Sequence, residues 1–259
     1  MKNNKNILPL ERRQNILKIL QKNNSVSVKE LSQQFDVSRA TIRNDLSDLE
    51  KKGLIKRTYG GAILDKEFGS VQEYETRMVD NIEKKSRIGK KAASLVEDKS
   101  TLMIDTGTTT LQAVKALDFN KDLTVITDSL PINRLLMNET GMEIFLLGGK
   151  ISRTNQHAYG ELAEENLKKF RARLSILGIM GVHPEQGFTE AERPAANIKK
   201  GMLESSQKSI VIADSTKFST VSLVPVAGFK EVDVLITDSG ADEEILADIE
   251  ESGVNVITV

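Results

Sequence analysis

A chain of 259 residues with 39% hydrophobic and 28% charged side chains has the composition of an ordinary globular protein. It contains no Cys and only His157 and His183, which excludes disulfides, thiol nucleophiles and Cys-rich or multi-His metal sites, so neither metal nor cofactor is expected. No apolar run approaches the roughly 20 residues of a membrane span, and the opening MKNNKNILPLERRQ has no secretory-signal core. The expectation is a cytoplasmic protein with no membrane partner. The formal net charge of −1 conceals an uneven distribution. Residues 1–66 hold 14 Lys+Arg against 7 Asp+Glu, and the remaining residues hold 22 against 30. A compact basic segment calls for a polyanion.

Residues 10–22 place Ile16, Leu17, Ile19 and Leu20 at helical spacing. After a break at Asn23-Asn24-Ser25, the run Ser27-Val28-Lys29-Glu30 reads as a capping box that opens a second helix ending near Phe35. Ser38 is a good N-cap for a third helix, in which Ile42, Leu46 and Leu49 share the inward face and Gly53 closes the C-terminus. The spacing is that of a helix-turn-helix. At 100° per residue Ala40, Asn44 and Ser47 point outward, flanked by Thr41 and Arg43. Ser38, Arg39, Ala40, Thr41, Arg43 and Asn44 are therefore the candidate DNA-reading residues. Arginine reaches guanine edges or phosphates, and asparagine pairs with adenine. Residues 54–64 read as a hairpin turning at Gly60-Gly61, a wing with Lys56, Arg57 and Tyr59 placed to touch the DNA backbone.

Residues 65–84 form a polar connector, flexible around Gly69-Ser70 and then helical through Arg77 into residues 85–97. Seven short apolar runs follow, at 101–105, 123–127, 142–147, 174–179, 209–213, 232–237 and 254–259. Continuous apolar strands separated by helices indicate a mostly parallel sheet covered on both faces, an α/β architecture. Small, hydroxylated and acidic residues collect beyond the strand ends, where open α/β sheets bind ligands. The strongest such element is Asp105-Thr106-Gly107-Thr108-Thr109-Thr110, which follows a strand and opens a helix near Thr109. Glycine, hydroxyls and free helix amides together suit an anion. The element lacks GxxxxGK and GxGxxG, so a small phosphorylated ligand fits better than a nucleotide.

The stretches RRQNILKILQ and VSVKELSQQFDVSRATIRNDLSDLEKKGLIKRTYGGA resemble the DeoR family of bacterial transcription regulators. The resemblance continues through KKSRIGKKAASLV, TLMIDTGTTTLQ, VITDSL, LLGGK and IADSTKF. It implies a winged helix-turn-helix domain over residues 1–64, a linker at 65–84, and a sugar-phosphate-sensing domain at 85–259 similar in fold to ribose-5-phosphate isomerase. The expected function is a repressor of a carbohydrate operon, released from double-stranded operator DNA by a sugar phosphate and working as a homo-oligomer, with a ligand-activated activator, or an isomerase carrying a DNA-binding appendage, as the alternatives. Carried over by position, Lys85, Asp128, Ser129, Gly148, Gly149, Lys199, Asp214 and Lys217 join residues 105–110 as candidate effector contacts. Two positions depart from the family pattern. Arg43-Asn44 stands where two consecutive arginines are common, and Asp128 stands where Asn is common. The text Asp238-Ser239-Gly240-Ala241-Asp242-Glu243 imitates the isomerase active-site loop but sits at the wrong place in the chain, and reads as a strand end and helix cap. The segment 178–184, where that loop belongs, has no carboxylate to act as general base, so no catalytic residue is expected.

Overall fold

The computed structural model describes residues 12–13, 15–16, 19–20, 25–51, 55–58, 60–63 and 69–259. Gly53 and Tyr59 lie outside the described residues, as does the side chain of Lys56. The chain divides into two compact units, Met1–Glu75 and Thr76–Val259.

In the first unit, residues 12–13, 15–16 and 19–20 belong to a helix, α1. It is followed by β1 (Ser25–Ser27), α2 (Val28–Phe35), α3 (Arg39–Lys51), β2 (Lys56–Thr58) and β3 (Gly61–Ile63). The capping box at the start of α2 is formed. Ser27 Oγ accepts from the Glu30 amide, and Glu30 Oε2 accepts from the Ser27 amide, both at 3.1 Å. Asp36 ends α2 in the left-handed region, and Ser38 Oγ accepts from the Thr41 amide at 3.0 Å to start α3. Ile16, Leu20, Leu31, Ile42, Leu46 and Leu49 close into one core. The helical periodicity thus buries the expected side chains.

The strands of this unit run in the order β1-β3-β2, so the break after α1 supplies a third strand to the wing. Thr58 pairs with Gly61, which makes Gly61 the first residue of the returning strand rather than half of the turn. The reason is steric. A Cβ at Gly61 would lie 1.8 Å from the Val26 carbonyl oxygen, so only glycine lets β1 approach. Asp45 is also unanticipated. On the inner side of α3 and 2% exposed, it accepts from Arg12 Nε at 2.6 Å and Arg13 Nε at 2.9 Å, pinning α1 to α3.

Helix α4 (Gly69–Val79) includes Gly69 and Ser70, and α5 (Ile82–Ser94) follows after a break at Asn81, whose φ is 54°. The connector is therefore two helices rather than one running through residue 97. In the second unit each of the seven apolar runs forms a strand. These are β4 (Thr101–Ile104), β5 (Leu123–Thr127), β6 (Met142–Leu146), β9 (Ala172–Gly178), β12 (Ser206–Ile212), β14 (Val234–Thr237) and β15 (Asn255–Thr258). They pair in the order β15-β14-β12-β9-β4-β5-β6, and every pairing is parallel. Alternate side chains go to opposite faces. Leu102 and Ile104 pack with Ile88 and Val114 on one side, while Met103 packs with Leu177, Ile198 and Met202 on the other.

The chain leaves β4 toward β5 and β6, then returns to β9 on the other flank of β4. The carboxyl ends of β4 and β9 are thus the point where strand order reverses, the place where such sheets open a crevice. Helix α6 (Thr108–Lys115) starts there. Its position is fixed by Gly89 of α5, where a Cβ would lie 2.6 Å from the Ala113 nitrogen. Two features were not anticipated: the hairpin of β7 (Lys150–Ser152) with β8 (His157–Tyr159), and a small antiparallel sheet of β10 (Gly181–His183), β11 (Gly187–Glu190) and β13 (Val224–Ala227). Strands of three or four residues leave little alternation to detect. The remaining helices are α7 (Leu130–Leu136), α8 (Glu161–Leu167), α9 (Arg193–Glu204) and α10 (Glu243–Glu251).

Removing the carboxylate that holds α1 leaves the Arg12 guanidinium, 6% exposed, with its buried partner gone. Asp45→Ala should destabilise the first unit by about 3–5 kcal/mol, the range for breaking a buried ion pair. Denaturant titration followed by circular dichroism measures the loss.

Candidate functional site

Two separate sites emerge, one in each unit. On α3, Ser38, Arg39, Ala40, Arg43 and Asn44 are exposed and Thr41 is partly buried. The Ser38 hydroxyl is occupied as a cap. Arg39, Arg43 and Arg57 line one shallow cleft together with Lys29, Thr58, Gly60 and Gly61. Four cations at the edge between a helix and a hairpin make an anion-facing surface. Lys29 escaped sequence reading because it stands inside the capping box, where the cap explains its neighbours. The Arg57 amide donates to Glu50 Oε1 at 3.0 Å, which ties the wing to the end of α3.

The second site is a narrow cleft over the ends of β4 and β9. Its walls include Thr106 and Gly107 from the loop into α6, Thr108 and Thr109 from its first turn, Gly178 at the end of β9, and the cations Arg77, Lys85, Lys199 and Lys217. Gly107 is the N-cap of α6 and brings no side chain to occupy the first-turn amides, so they remain available to an anion. A Cβ at Gly107 would meet Thr110 Oγ1 at 2.8 Å. Lys85 is 3% exposed, and its Nζ donates to the Arg77 carbonyl oxygen. Burial pushes the Lys85 ammonium down to about 8. Asp214 opposes the shift, while Lys217 and Arg77 add to it. Arg77 itself donates to Asn155 Oδ1 at 3.0 Å and contacts Met180 Sδ at 3.2 Å.

Several expected contacts face elsewhere. Asp105 turns inward: one oxygen accepts from the Gly178 amide at 2.9 Å and the other from Lys199 Nζ. Burial raises the Asp105 carboxyl to about 6 despite Lys199, with Asp128 adding to the rise. Lys199 opposes two carboxylates, Asp105 and Glu190, which hold its ammonium above the ordinary range although burial works the other way. Thr110 bonds to the Asp105 and Gly107 carbonyls. Ser129 caps α7 through the Ile132 amide, and Asp214 caps the turn at 215–217 through the Thr216 amide. Gly148 and Gly149, at φ 73° and 102°, turn the chain into the β7–β8 hairpin. The loop of that hairpin reaches back over the cleft, where Thr106 Oγ1 donates to the Asn155 carbonyl at 3.2 Å. Those glycines do not line the cleft.

Arg77, Asn155, Met180 and Glu190 were missed. No local motif marks them, since the cleft is assembled from α4, the hairpin loop and the second sheet.

Comparison with known proteins agrees with this two-part layout. A model of the DeoR-like helix-turn-helix domain matches residues 12–68, and one of the DeoR C-terminal sensor domain matches residues 80–239. The putative aga operon transcriptional repressor of Escherichia coli is 32% identical over 96% of this chain and 93% of its own. The transcriptional repressor GlcR of Bacillus subtilis is 33% identical over 93% of each chain. The chain belongs to the DeoR family. Among solved structures, ribose 5-phosphate isomerase A of Methanocaldococcus jannaschii superposes with a TM-score of 0.40 at 16% identity, over 54% of this chain and 55% of that one. At that score the likeness adds nothing to the assignment.

Within this DeoR-family chain the contact made by Asp128 is local. Its Oδ2 lies 2.9 Å from Nδ1 of His157, and both residues are buried. One carboxylate oxygen is engaged by the β8 histidine, and the residue is absent from the cleft wall. The isomerase-like text at 238–243 is also structural. Burial raises the Asp238 carboxyl, but hydrogen bonds from Ser215, Lys84 and Gly240 outweigh it and hold the group below the ordinary range. Asp242 caps α10. Among the described residues, no group of three or more His, Asp or Glu side chains is placed to hold a metal ion, and no helix is long and apolar enough to cross a membrane.

Lys85 provides a pH signature. Its folded-state value lies below that of the unfolded chain, so between about pH 8 and the ordinary lysine value of 10.5 the unfolded chain binds the extra proton. Stability should therefore gain a favourable contribution as pH rises through about 8. In Lys85→Met that contribution should vanish, which thermal unfolding at about pH 7 and about pH 9.5 detects by comparison with the unsubstituted protein.

Proposed function

We propose that this protein is a transcriptional repressor that releases operator DNA when a sugar phosphate enters the cleft of its second unit. The observation that carries the reading is the convergence of Arg77, Lys85 and Lys217 on the uncapped start of α6, at the strand-order reversal. Lys217 and Arg77 add to the downward shift of the buried Lys85 ammonium, so an anion entering beside them would be favoured, and helix amides complement a phosphate. The arginine-lined edge of α3 and the wing supports the DNA half of the reading. Arg43 and Asn44 are the base-reading candidates, and Arg39, Lys56, Arg57 and Tyr59 the backbone contacts. A homo-oligomer is part of the proposal, since one small module gives too little affinity for a specific site. So are action in the cytoplasm and the absence of turnover.

The cleft is tight, about 30 Å³, a volume suited to about one or two waters. A sugar phosphate would have to widen it. The phosphate would compete for Lys85 and Arg77, whose present partners include the Arg77 carbonyl for the one and Asn155 and Met180 for the other. That carbonyl lies in the last turn of α4, the helix that begins in the first unit. Effector binding would thus act on the end of the helix that leads back toward the DNA-binding unit.

Two substitutions separate the halves. Arg43→Ala should weaken binding to a duplex from upstream of the protein's own gene by about 5–150-fold, the equivalent of about 1–3 kcal/mol for a lost base contact. Thermal stabilisation by sugar phosphates should survive in that variant. Lys85→Met should keep DNA affinity and lose release by sugar phosphate. Fluorescence anisotropy of the duplex with and without a panel of sugar phosphates reads both, and a Lys85→Met protein that still releases normally sinks the cleft assignment. Incubation with ribose 5-phosphate followed by NMR should show no isomerisation.

A further inference from the structure

The proposed effector cleft is cationic except at one point. Glu190, the last residue of β11, is 7% exposed and contributes the carboxylate of the wall. Its side chain is held on two sides. Oε1 accepts from the Ala191 amide at 2.7 Å, and Oε2 lies 3.3 Å from Lys199 Nζ. Lys199 is in turn anchored by Asp105 and by the Gly178 carbonyl at 3.0 Å. An ionised carboxylate has about four lone-pair sites, so each Glu190 oxygen keeps acceptor capacity beyond its one partner. The proximity of Asp105 means that Lys199 answers two carboxylates, and the group retains surplus negative charge.

A buried carboxylate works against a phosphate site, because it repels the same anion that Lys85, Lys217 and the α6 amides attract. Its chemistry instead suits the part of a ligand that has hydroxyl donors and no charge. We infer that Glu190 is the specificity-determining residue of this cleft, accepting hydrogen bonds from ligand hydroxyls and excluding a second phosphate. The effector is then a polyhydroxylated monophosphate, with its phosphate on the cationic side and its hydroxyls on Glu190. This rests on the cleft being the effector site, and it adds which class of phosphorylated compound the site takes.

The test uses the full-length protein and calorimetric titration with four kinds of probe: inorganic phosphate, a set of sugar monophosphates (ribose 5-, fructose 1-, fructose 6- and glucose 6-phosphate), fructose 1,6-bisphosphate, and the unphosphorylated sugars. The best monophosphate should bind at least about tenfold more tightly than inorganic phosphate or the bisphosphate, the ratio equivalent to about 1.4 kcal/mol. Glu190→Gln should reduce that preference at least about fivefold, with inorganic phosphate and the bisphosphate both bound more tightly once the repelling charge is gone. Glu190→Asp, which keeps the charge and shortens the reach, should still reject the bisphosphate but lose part of the monophosphate preference over inorganic phosphate. Unfolding midpoints identify a variant that has lost its fold, in which case Glu190→Asp carries the comparison. Equal preference ratios in all three proteins, or a wild-type protein that favours the bisphosphate, overturn the assignment of Glu190. Lys85→Met separates this failure from a wider one: if no phosphorylated probe binds, or if Lys85→Met binds them all as well as wild type, the cleft itself is not the effector site and the Glu190 assignment falls with it.

Discussion

A single buried carboxylate ties the second unit together where its sheet reverses. Asp105 joins the end of β4 to the end of β9 through the Gly178 amide, and to α9 through Lys199. Three pieces distant in sequence are thereby held in register around one charge. Removing Asp105 would leave the Lys199 ammonium buried against Glu190 alone, and breaking such pairs is far more harmful than never having made them. The loop at 106–107 and the first turn of α6 follow directly on a residue committed inward. The anion recognition proposed for the start of α6 would in this sense be built on an interaction that does not touch the anion.

The architecture was legible because it follows from local chemistry. Seven apolar runs separated by polar stretches can satisfy their backbones and bury both faces only as a parallel sheet with helices above and below, and each run became a strand. In the first unit, Ser27 and Ser38 mark helix starts by the hydrogen bonds their hydroxyls accept, and Ile42, Leu46 and Leu49 mark the inward face. The hairpin register was displaced by one residue because the obstacle at Gly61 comes from β1, a strand too short for its sequence to announce.

The cleft was legible in part. Thr106, Gly107, Thr108 and Thr109 lie together in sequence and could be read as a unit, and Lys85, Lys199 and Lys217 came from the family resemblance. Asp105, Thr110 and Ser129 belong to the same segments, yet their side chains support loops and helix starts rather than forming the wall. A residue's place in a motif does not say which way it points once a partner such as Lys199 competes for it. Glu190 and Arg77 were invisible for the opposite reason. Each enters the cleft from an element whose approach depends on tertiary pairing, β11 with β10 and β13 for the one, and the meeting of α4 and α5 for the other.

The pairing of Arg12 and Arg13 with Asp45, and of Arg13 with Asp48 at 2.8 Å, has a thermodynamic implication for how the protein holds DNA. Affinity for a duplex rises with the number of condensed counterions that protein cations displace, at close to one ion for each phosphate neutralised. Cations already matched by fixed carboxylates displace few. The ionic-strength dependence of binding should therefore be shallower than the Lys+Arg content of the first 66 residues implies, and dominated by the side chains gathered between α3 and the wing. The basic excess of the segment is partly an internal adhesive, and only its remainder is available to the nucleic acid.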